Sequence, residues 1–221
     1  MQVLDHGFVT YVDHHGGDLS VVNAARVSFG KSTETLDPQK DPKLIEYLAE
    51  HDHAAPFRHS GLTMRIKMPI FVMRQFVRHR IGVEISEISG RYAELSEEWY
   101  TPAAPGFRAQ SSDRKQGSEG YLDPFLQESY LNDYANLHRD AFNLYRKFIR
   151  SGMAKEQARM VLPLSVYTEI YVTMSLEAIA HFVHLREDSH AQWEIQQYGI
   201  AIKELTLEKF PVAFGALMRH R

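Results

Sequence analysis

Residues 62–68 read LTMRIKM, and their side chains alternate without a break. Leu62, Met64, Ile66 and Met68 fall on one face of an extended chain, with Thr63, Arg65 and Lys67 on the other. A two-residue period demands a sheet with one buried face and one polar face. Such a strand is not stable alone, so the rest of the chain must supply paired neighbours and a layer over the apolar face. Pro69 ends the strand and suits a helix's first turn, which predicts a helix over 69–80 in PIFVMRQFVRHR. FVTYV (8–12) and VYTEIYVTM (166–174) are β-branched and aromatic, and read as further strands.

Helical signals surround these strands. Residues 18–27 look helical, and Asp41-Pro42 opens a helix to about Glu50, with Asp41 as N-cap. Asp123-Pro124 opens the longest helix, which Gly152 stops, and Tyr130, Tyr134, Leu137, Ala141, Tyr145 and Phe148 form its apolar stripe. A short helix over 154–161 ends before Pro163. Ser175 caps a helix to Leu185, and Ser189 with Gln192 makes a capping box for a last helix to about Lys209. Residues 101–120 are rich in Pro, Gly, Ser and charge, and read as an exposed, mobile loop inside one domain. The class is α+β (mixed α/β): a single domain over 1–221, with a central antiparallel or mixed sheet flanked by helices.

With 221 residues, 44% of them apolar, the chain can bury a core without covalent staples. It has no cysteine, which excludes disulfides, thiolate metal sites and a cysteine nucleophile. No apolar run reaches the roughly eighteen residues of a membrane span, and the N-terminus lacks a signal-peptide pattern, so a cytoplasmic protein is expected. A net charge of −3 argues against a nucleic-acid-binding surface. Among 12 histidines, His14, His15, His51, His53 and His59 cluster in sequence without a metal-ligand spacing, so no metal is expected. Dinucleotide and P-loop glycine fingerprints are absent.

Polar chemistry concentrates in RQFVRHRIGVEISEISGRYAE (74–94). On a helix over 69–80, Gln75, Arg78 and His79 share a face, offering amide and guanidinium donors to a phosphate or pyrimidine edge. Ser89-Gly90-Arg91 adds a hydroxyl, a permissive backbone and a phosphate fork. On charge alone, a solvated basic helix end followed by a polar loop fits as well. A second cluster, HLREDSHAQWEIQ (184–196), places Arg186 between two helices, where a C-terminal cation facing the helix dipole is the simpler reading. Arg159 has the same ambiguity between surface cation and anion ligand.

Arg78-His79-Arg80, a short spacer, and Glu87-x-Ser89-x-Arg91-Tyr92 resemble the signature of the flavin-dependent thymidylate synthases. NAARVSF (23–29), HAAPFRH (53–59), PIFVMRQFVRHR (69–80), ARMVLP (158–163) and LREDSHAQWEIQQY (185–198) are similar to family segments in family order, over nearly the whole chain. The spacing from Arg78 to Arg91 is one residue longer than the family pattern, and Ser86 stands where Asn would precede Glu87. Glu177 stands where a basic residue would favour flavin phosphates, and Ala55 lacks a hydroxyl that relatives can offer the flavin.

The resemblance implies methylene transfer from 5,10-methylenetetrahydrofolate to C5 of dUMP, a hydride from reduced FAD, and NADPH as reductant of the flavin. It implies that Gln75, Arg78, Glu87, Ser89, Gly90, Arg91, Arg159 and Arg186 bind dUMP. Arg78, His79, Arg80, Glu87, Ser175 and His181 are implied for FAD. Arg186 takes the catalytic position, as a durable cation beside the uracil N3/O4 edge. The missing cysteine agrees, since a thiolate adding to C6 is the commoner way to make C5 nucleophilic. The resemblance further implies a homotetramer with sites shared between subunits. A catalytically idle nucleotide-binding homologue, using the basic helix and SGR loop as a phosphate cradle, is the alternative reading. No membrane or nucleic-acid partner is expected.

Overall fold

In the computed structural model, which describes residues 1–113 and 115–221, the chain opens with a tight return from β1 (Gln2–Val3) into β2 (Gly7–His15). Leu4 turns it at φ 58°. α1 (Asp18–Arg26), α2 (Asp41–Glu50) and α3 (Ala54–Phe57) precede β3 (Gly61–Pro69), which runs directly into α4 (Ile70–Phe76). β4 (Val83–Glu87) follows, then a ribbon of β5 (Ala109–Gln110) and β6 (Ser118–Glu119). α5 (Pro124–Arg150) and α6 (Lys155–Ala158) lead to β7 (Tyr167–Ser175), which runs into α7 (Leu176–Glu187). α8 (Trp193–Lys209) and α9 (Ala213–Arg219) finish the fold.

The five strands β1-β2-β3-β7-β4 form one sheet, and every pairing is antiparallel. Its centre is the alternating strand. Leu62, Met64 and Ile66 stand opposite Met174, Val172 and Ile170, so both strands send large apolar side chains to the same face. All six are essentially inaccessible to solvent. The helices α1, α2, α4, α7, α8 and α9 cover that face with Val21, Val22, Ile45, Phe76, Phe182, Ile202 and Phe214. The opposite face is polar: Thr63 and Thr173 share a 2.9 Å hydrogen bond, and Arg65 Nε reaches Glu169 at 2.8 Å. A smaller core of Phe142, Tyr145, Ala158 and Val166 seats α5 and α6 beside Ile70 and Trp99.

Several local expectations need correction. α4 stops at Phe76 and not at Arg80. Arg78 N and His79 N bond to Gln75 O and Phe76 O, three residues back, and the tightened turn delivers the chain through Gly82 (φ 69°) into β4. Asp41 is the first helical residue of α2 and not its cap. It is fully buried, taking Arg26 Nη2 at 2.5 Å and Asp37 N at 2.8 Å. The Ser189–Gln192 capping box does not form. Gln192 is the N-cap residue without a side-chain cap, because its amide bonds Gln75 and Glu194 instead. On α5 the buried row is His138, Phe142 and Tyr145, while Tyr130 and Leu137 of the expected stripe are exposed.

The stretch over 101–120 is tied at its root and again at Phe107. Thr101 N donates to Asp5 Oδ2 at 2.9 Å. Farther on, Gln127 accepts from Phe107 N (2.8 Å) and donates to Phe107 O (2.7 Å). The segment NAARVSF also acquires a structural reason. The Asn23 amide clamps the backbone of Thr33 through both its N–H and its C=O, and Arg26 holds Asp41.

Candidate functional site: two clefts that share one arginine

α4 and α7 lie against each other through Phe76 and Phe182, whose ring centres are 4.9 Å apart. His79, just past α4, packs edge-on against the same Phe182 at 4.9 Å. From the last turn of α7, Arg186 donates its Nε–H to His79 Nε2 at 2.9 Å. That bond requires a lone pair on Nε2, so the imidazole is neutral with its proton on Nδ1. Burial pushes His79 down from 6.5 to about 4, and the charges of Arg186 and His181 push the same way. Burial also lowers Arg186, but a guanidinium starts so far above neutrality that it remains a cation.

Arg186 is a wall of two clefts. The first, about 680 Å³, is bounded by Gln75, Arg186, His190, Gln192, Trp193 and Glu194, and by Tyr100, Phe107, Arg108 and Tyr121 from the 100–121 stretch. Aromatic planes and a few polar groups suit a flat heterocycle. Gln75 Nε2 donates to Gln192 Oε1 at 2.5 Å across this cleft's floor, linking α4 to the start of α8. Tyr100 meets Glu194 at 3.4 Å, and burial raises its phenol well above the ordinary range.

The second cleft, about 570 Å³, has a different character. Arg58, Arg78, Arg80 and Arg186 line it with His181, and among the described residues Glu177 is its one acidic member. Among the described residues, the side chains of Arg78 and Arg80 have no recorded hydrogen-bond or ion-pair partner. A surface that gathers cations without pairing them suits an anionic ligand such as a diphosphate. Gly82, between the lining residues Ile81 and Val83, passes so close to the start of α7 that a Cβ there would come within 2.6 Å of Ser175 Oγ. The Ser175 hydroxyl accepts from Ala178 N at 3.2 Å, capping α7.

The remaining expected residues lie elsewhere in the chain. Glu87 ends β4 at the sheet edge opposite Ile170, on the side that the helices cover, and Thr168 Oγ1 donates to it at 2.6 Å. Ser89, Gly90 and Arg91 pack on the α6 segment: a Cβ on Gly90 would come within 3.1 Å of Arg159 Cδ, and Arg91 Nε reaches Glu156 at 3.2 Å. Ser89 Oγ accepts from Arg91 N at 3.3 Å. None of Glu87, Ser89, Gly90, Arg91 or Arg159 lines either cleft, so one chain carries two separate polar surfaces. Large apolar side chains border the second surface: Tyr92 is 77% exposed and Met160 76%.

Sequence reasoning passed over Tyr100, Phe107, Arg108, Tyr121, Trp193 and Glu194, which the first cleft uses. For Tyr100, Phe107, Arg108 and Tyr121 the local signal was aromatic residues in a polar, turn-rich stretch, whereas Trp193 and Glu194 lie inside the polar cluster 184–196. The longer spacing from Arg78 to Arg91 does not disorder the chain, since β4 pairs with β7 without a break from Val83↔Met174 to Glu87↔Ile170.

Residues 10–212 match the family described as thymidylate synthase complementing protein. A flavin-dependent thymidylate synthase of Thermus thermophilus is 45% identical over 218 residues, 99% of this chain and 78% of that protein. That of Thermosipho melanesiensis is also 45% identical, over 99% of this chain and 93% of its own. Among solved structures, the UMP/dUMP methylase PolB from Streptomyces cacaoi, bound with 5-Br dUMP, superposes with a TM-score of 0.87 at 30% identity, covering 99% of this chain and 97% of PolB. The chain belongs to the flavin-dependent thymidylate synthase family.

Proposed function

We propose that the protein converts dUMP to dTMP, with 5,10-methylenetetrahydrofolate as carbon donor and FAD as its redox cofactor. Arg186 carries this reading: one fixed guanidinium borders both an aromatic cleft and a cationic cleft, so a pyrimidine and a flavin can both be brought beside it. The relatives named above are flavin-dependent thymidylate synthases, and PolB is a UMP/dUMP methylase solved with a bromouridine nucleotide.

The uracil sits against Arg186 and Gln75 in the first cleft. With no cysteine in the chain, C5 must be made nucleophilic by charge rather than by a thiolate. His79 holds Arg186 by its Nε, leaving the two Nη groups to face the N3/O4 edge, where negative charge develops. Because His79 is neutral, it fixes the guanidinium without adding a competing charge. Ser89 is a binding group, since its hydroxyl accepts from Arg91 N and, among the described residues, no histidine bonds to it. The donor set of the second cleft fits FAD: Arg78, Arg80 and His181 hold it there, and His79 meets it beside Arg186. When bound and reduced by NADPH, FAD supplies the hydride that completes the methyl group.

Glu87, Ser89, Gly90, Arg91 and Arg159 join this site from a second copy of the chain, in a homotetramer. Their absence from the walls of both clefts of their own chain, and the exposed Tyr92 and Met160 beside them, support that arrangement. Purified protein incubated with dUMP, methylenetetrahydrofolate, NADPH and FAD should release dTMP, and omission of FAD from flavin-free protein should abolish it. Formation of dTMP at an equal rate without flavin would refute the proposal. The cytoplasm is the expected setting; among the described residues no helix is long and apolar enough to cross a membrane.

A further inference from the structure

Glu177 is an awkward residue for a cleft that is to hold a diphosphate. It lies in the first turn of α7, where the helix dipole favours a carboxylate, and its side chain is only 16% exposed. Two guanidinium groups flank it. Arg221 Nη2 donates to Glu177 Oε1 at 2.7 Å, and Arg58 Nε stands 3.6 Å from Oε2. The carboxylate is therefore outnumbered, and its local field is that of a net cation.

Arg58 follows α3 in the turn before β3, and its backbone N–H is fixed by Ala55 O at 3.1 Å. Its side chain lines the second cleft and is half exposed. Among the described residues neither of its Nη groups makes a hydrogen bond, and its nearest approach to Glu177 is through the Nε edge. A guanidinium steered by its Nε edge keeps its terminal fork available for an oxyanion. Arg78 and Arg80, whose side chains have no partner among the described residues, line the same cleft.

We propose that Arg58 is a diphosphate ligand of the flavin site and that Glu177 is its positioning residue, turning a local acid into a support for a cation. This rests on the FAD reading given above. The cation that this end of α7 lacks in its own sequence comes instead from the chain segment opposite.

Flavin-free protein, titrated separately with FAD and with riboflavin and followed by flavin fluorescence, tests the assignment. Arg58→Gln should weaken FAD about tenfold or more, the scale of one charge-assisted hydrogen bond, and leave riboflavin binding unchanged because riboflavin carries no phosphate. Glu177→Gln should also weaken FAD, since Arg58 loses its guide. If the carboxylate merely repelled the ligand, that variant would bind FAD more tightly, which would overturn the positioning role. Unchanged FAD affinity in Arg58→Gln, or an equal loss for riboflavin, would overturn the ligand assignment while leaving the FAD reading intact. A native protein that binds neither flavin would overturn both.

Discussion

Arg186 and His79 are joined by a 2.9 Å hydrogen bond that runs from the guanidinium Nε to the imidazole Nε2, across 107 positions of sequence. The bond fixes the plane of a charge that two clefts share. It also explains why a histidine stands between two arginines in Arg78-His79-Arg80. A third cation at that position would repel Arg186, whereas a neutral imidazole accepts from it.

Arg186→Ala is expected to lower kcat by about a hundredfold or more while changing dUMP affinity little, because its charge matters most as negative charge forms on the ring. Arg186→Lys should recover only part of the rate, since lysine has no Nε edge for His79 to hold. Steady-state kinetics with a dUMP binding titration separate the two effects. A large rise in Kd with kcat unchanged would make Arg186 a simple binding group.

His79 predicts a pH dependence of stability. Its folded value of about 4 lies below the 6.5 of an unfolded histidine, so between those values the unfolded chain binds more protons. Stability is complete above about pH 6.5 and falls as pH drops toward 4. His79→Gln keeps an acceptor for Arg186 and removes the titration. Thermal melts across this range should show a shallower acid loss in the variant, and parallel curves would contradict the prediction.

Arg26 and Asp41 form the pair on which local stability most depends, because the carboxylate is completely buried. Arg26→Ala leaves that charge with Asp37 N–H as its remaining partner and should cost about 3–5 kcal/mol, a fall in Tm of roughly 10 °C. The pair between Arg219 and Glu46 is a contrast. Arg219 helps hold the Glu46 carboxyl at about 2, yet both groups face water, so Arg219→Ala should cost no more than about 1 kcal/mol. Denaturant unfolding of the two variants compares them directly.

Much of the architecture was legible because the sheet centre writes itself into sequence as a period of two: LTMRIKM became β3 and VYTEIYVTM became β7 almost residue for residue. β4 was hidden, since VEISE is short, lies on the sheet edge and is mostly exposed. α9 was hidden for the opposite reason: Ala213, Phe214, Gly215, Ala216 and Leu217 are all buried, so the helix has almost no polar face and no period. The site was legible as a list of residues but not as a shape. Gln75 and Arg78, expected on one helix face, diverge into different clefts because α4 ends at Phe76. Long-range pairs such as Gln75 with Gln192 leave no local trace.

If the SGR surface completes a neighbour's site, two inactive chains can repair one another. Arg91→Ala damages the surface bearing Arg159, and Arg186→Ala damages the clefts. Each alone should be nearly inactive, while co-expression should restore dTMP formation in mixed oligomers. No recovery in a demonstrated mixed oligomer would place all the residues of each site in one chain.

The central claim is that a flavin, and not a thiol, serves the reaction at Arg186. Anaerobic protein carrying FAD and reduced by one equivalent of NADPH is the direct test, with flavin absorbance followed as dUMP and methylenetetrahydrofolate are added. The account predicts that the oxidised flavin band returns as dTMP forms, in equal amounts, and that Arg186→Ala abolishes both. Formation of dTMP while the flavin stays reduced would contradict it.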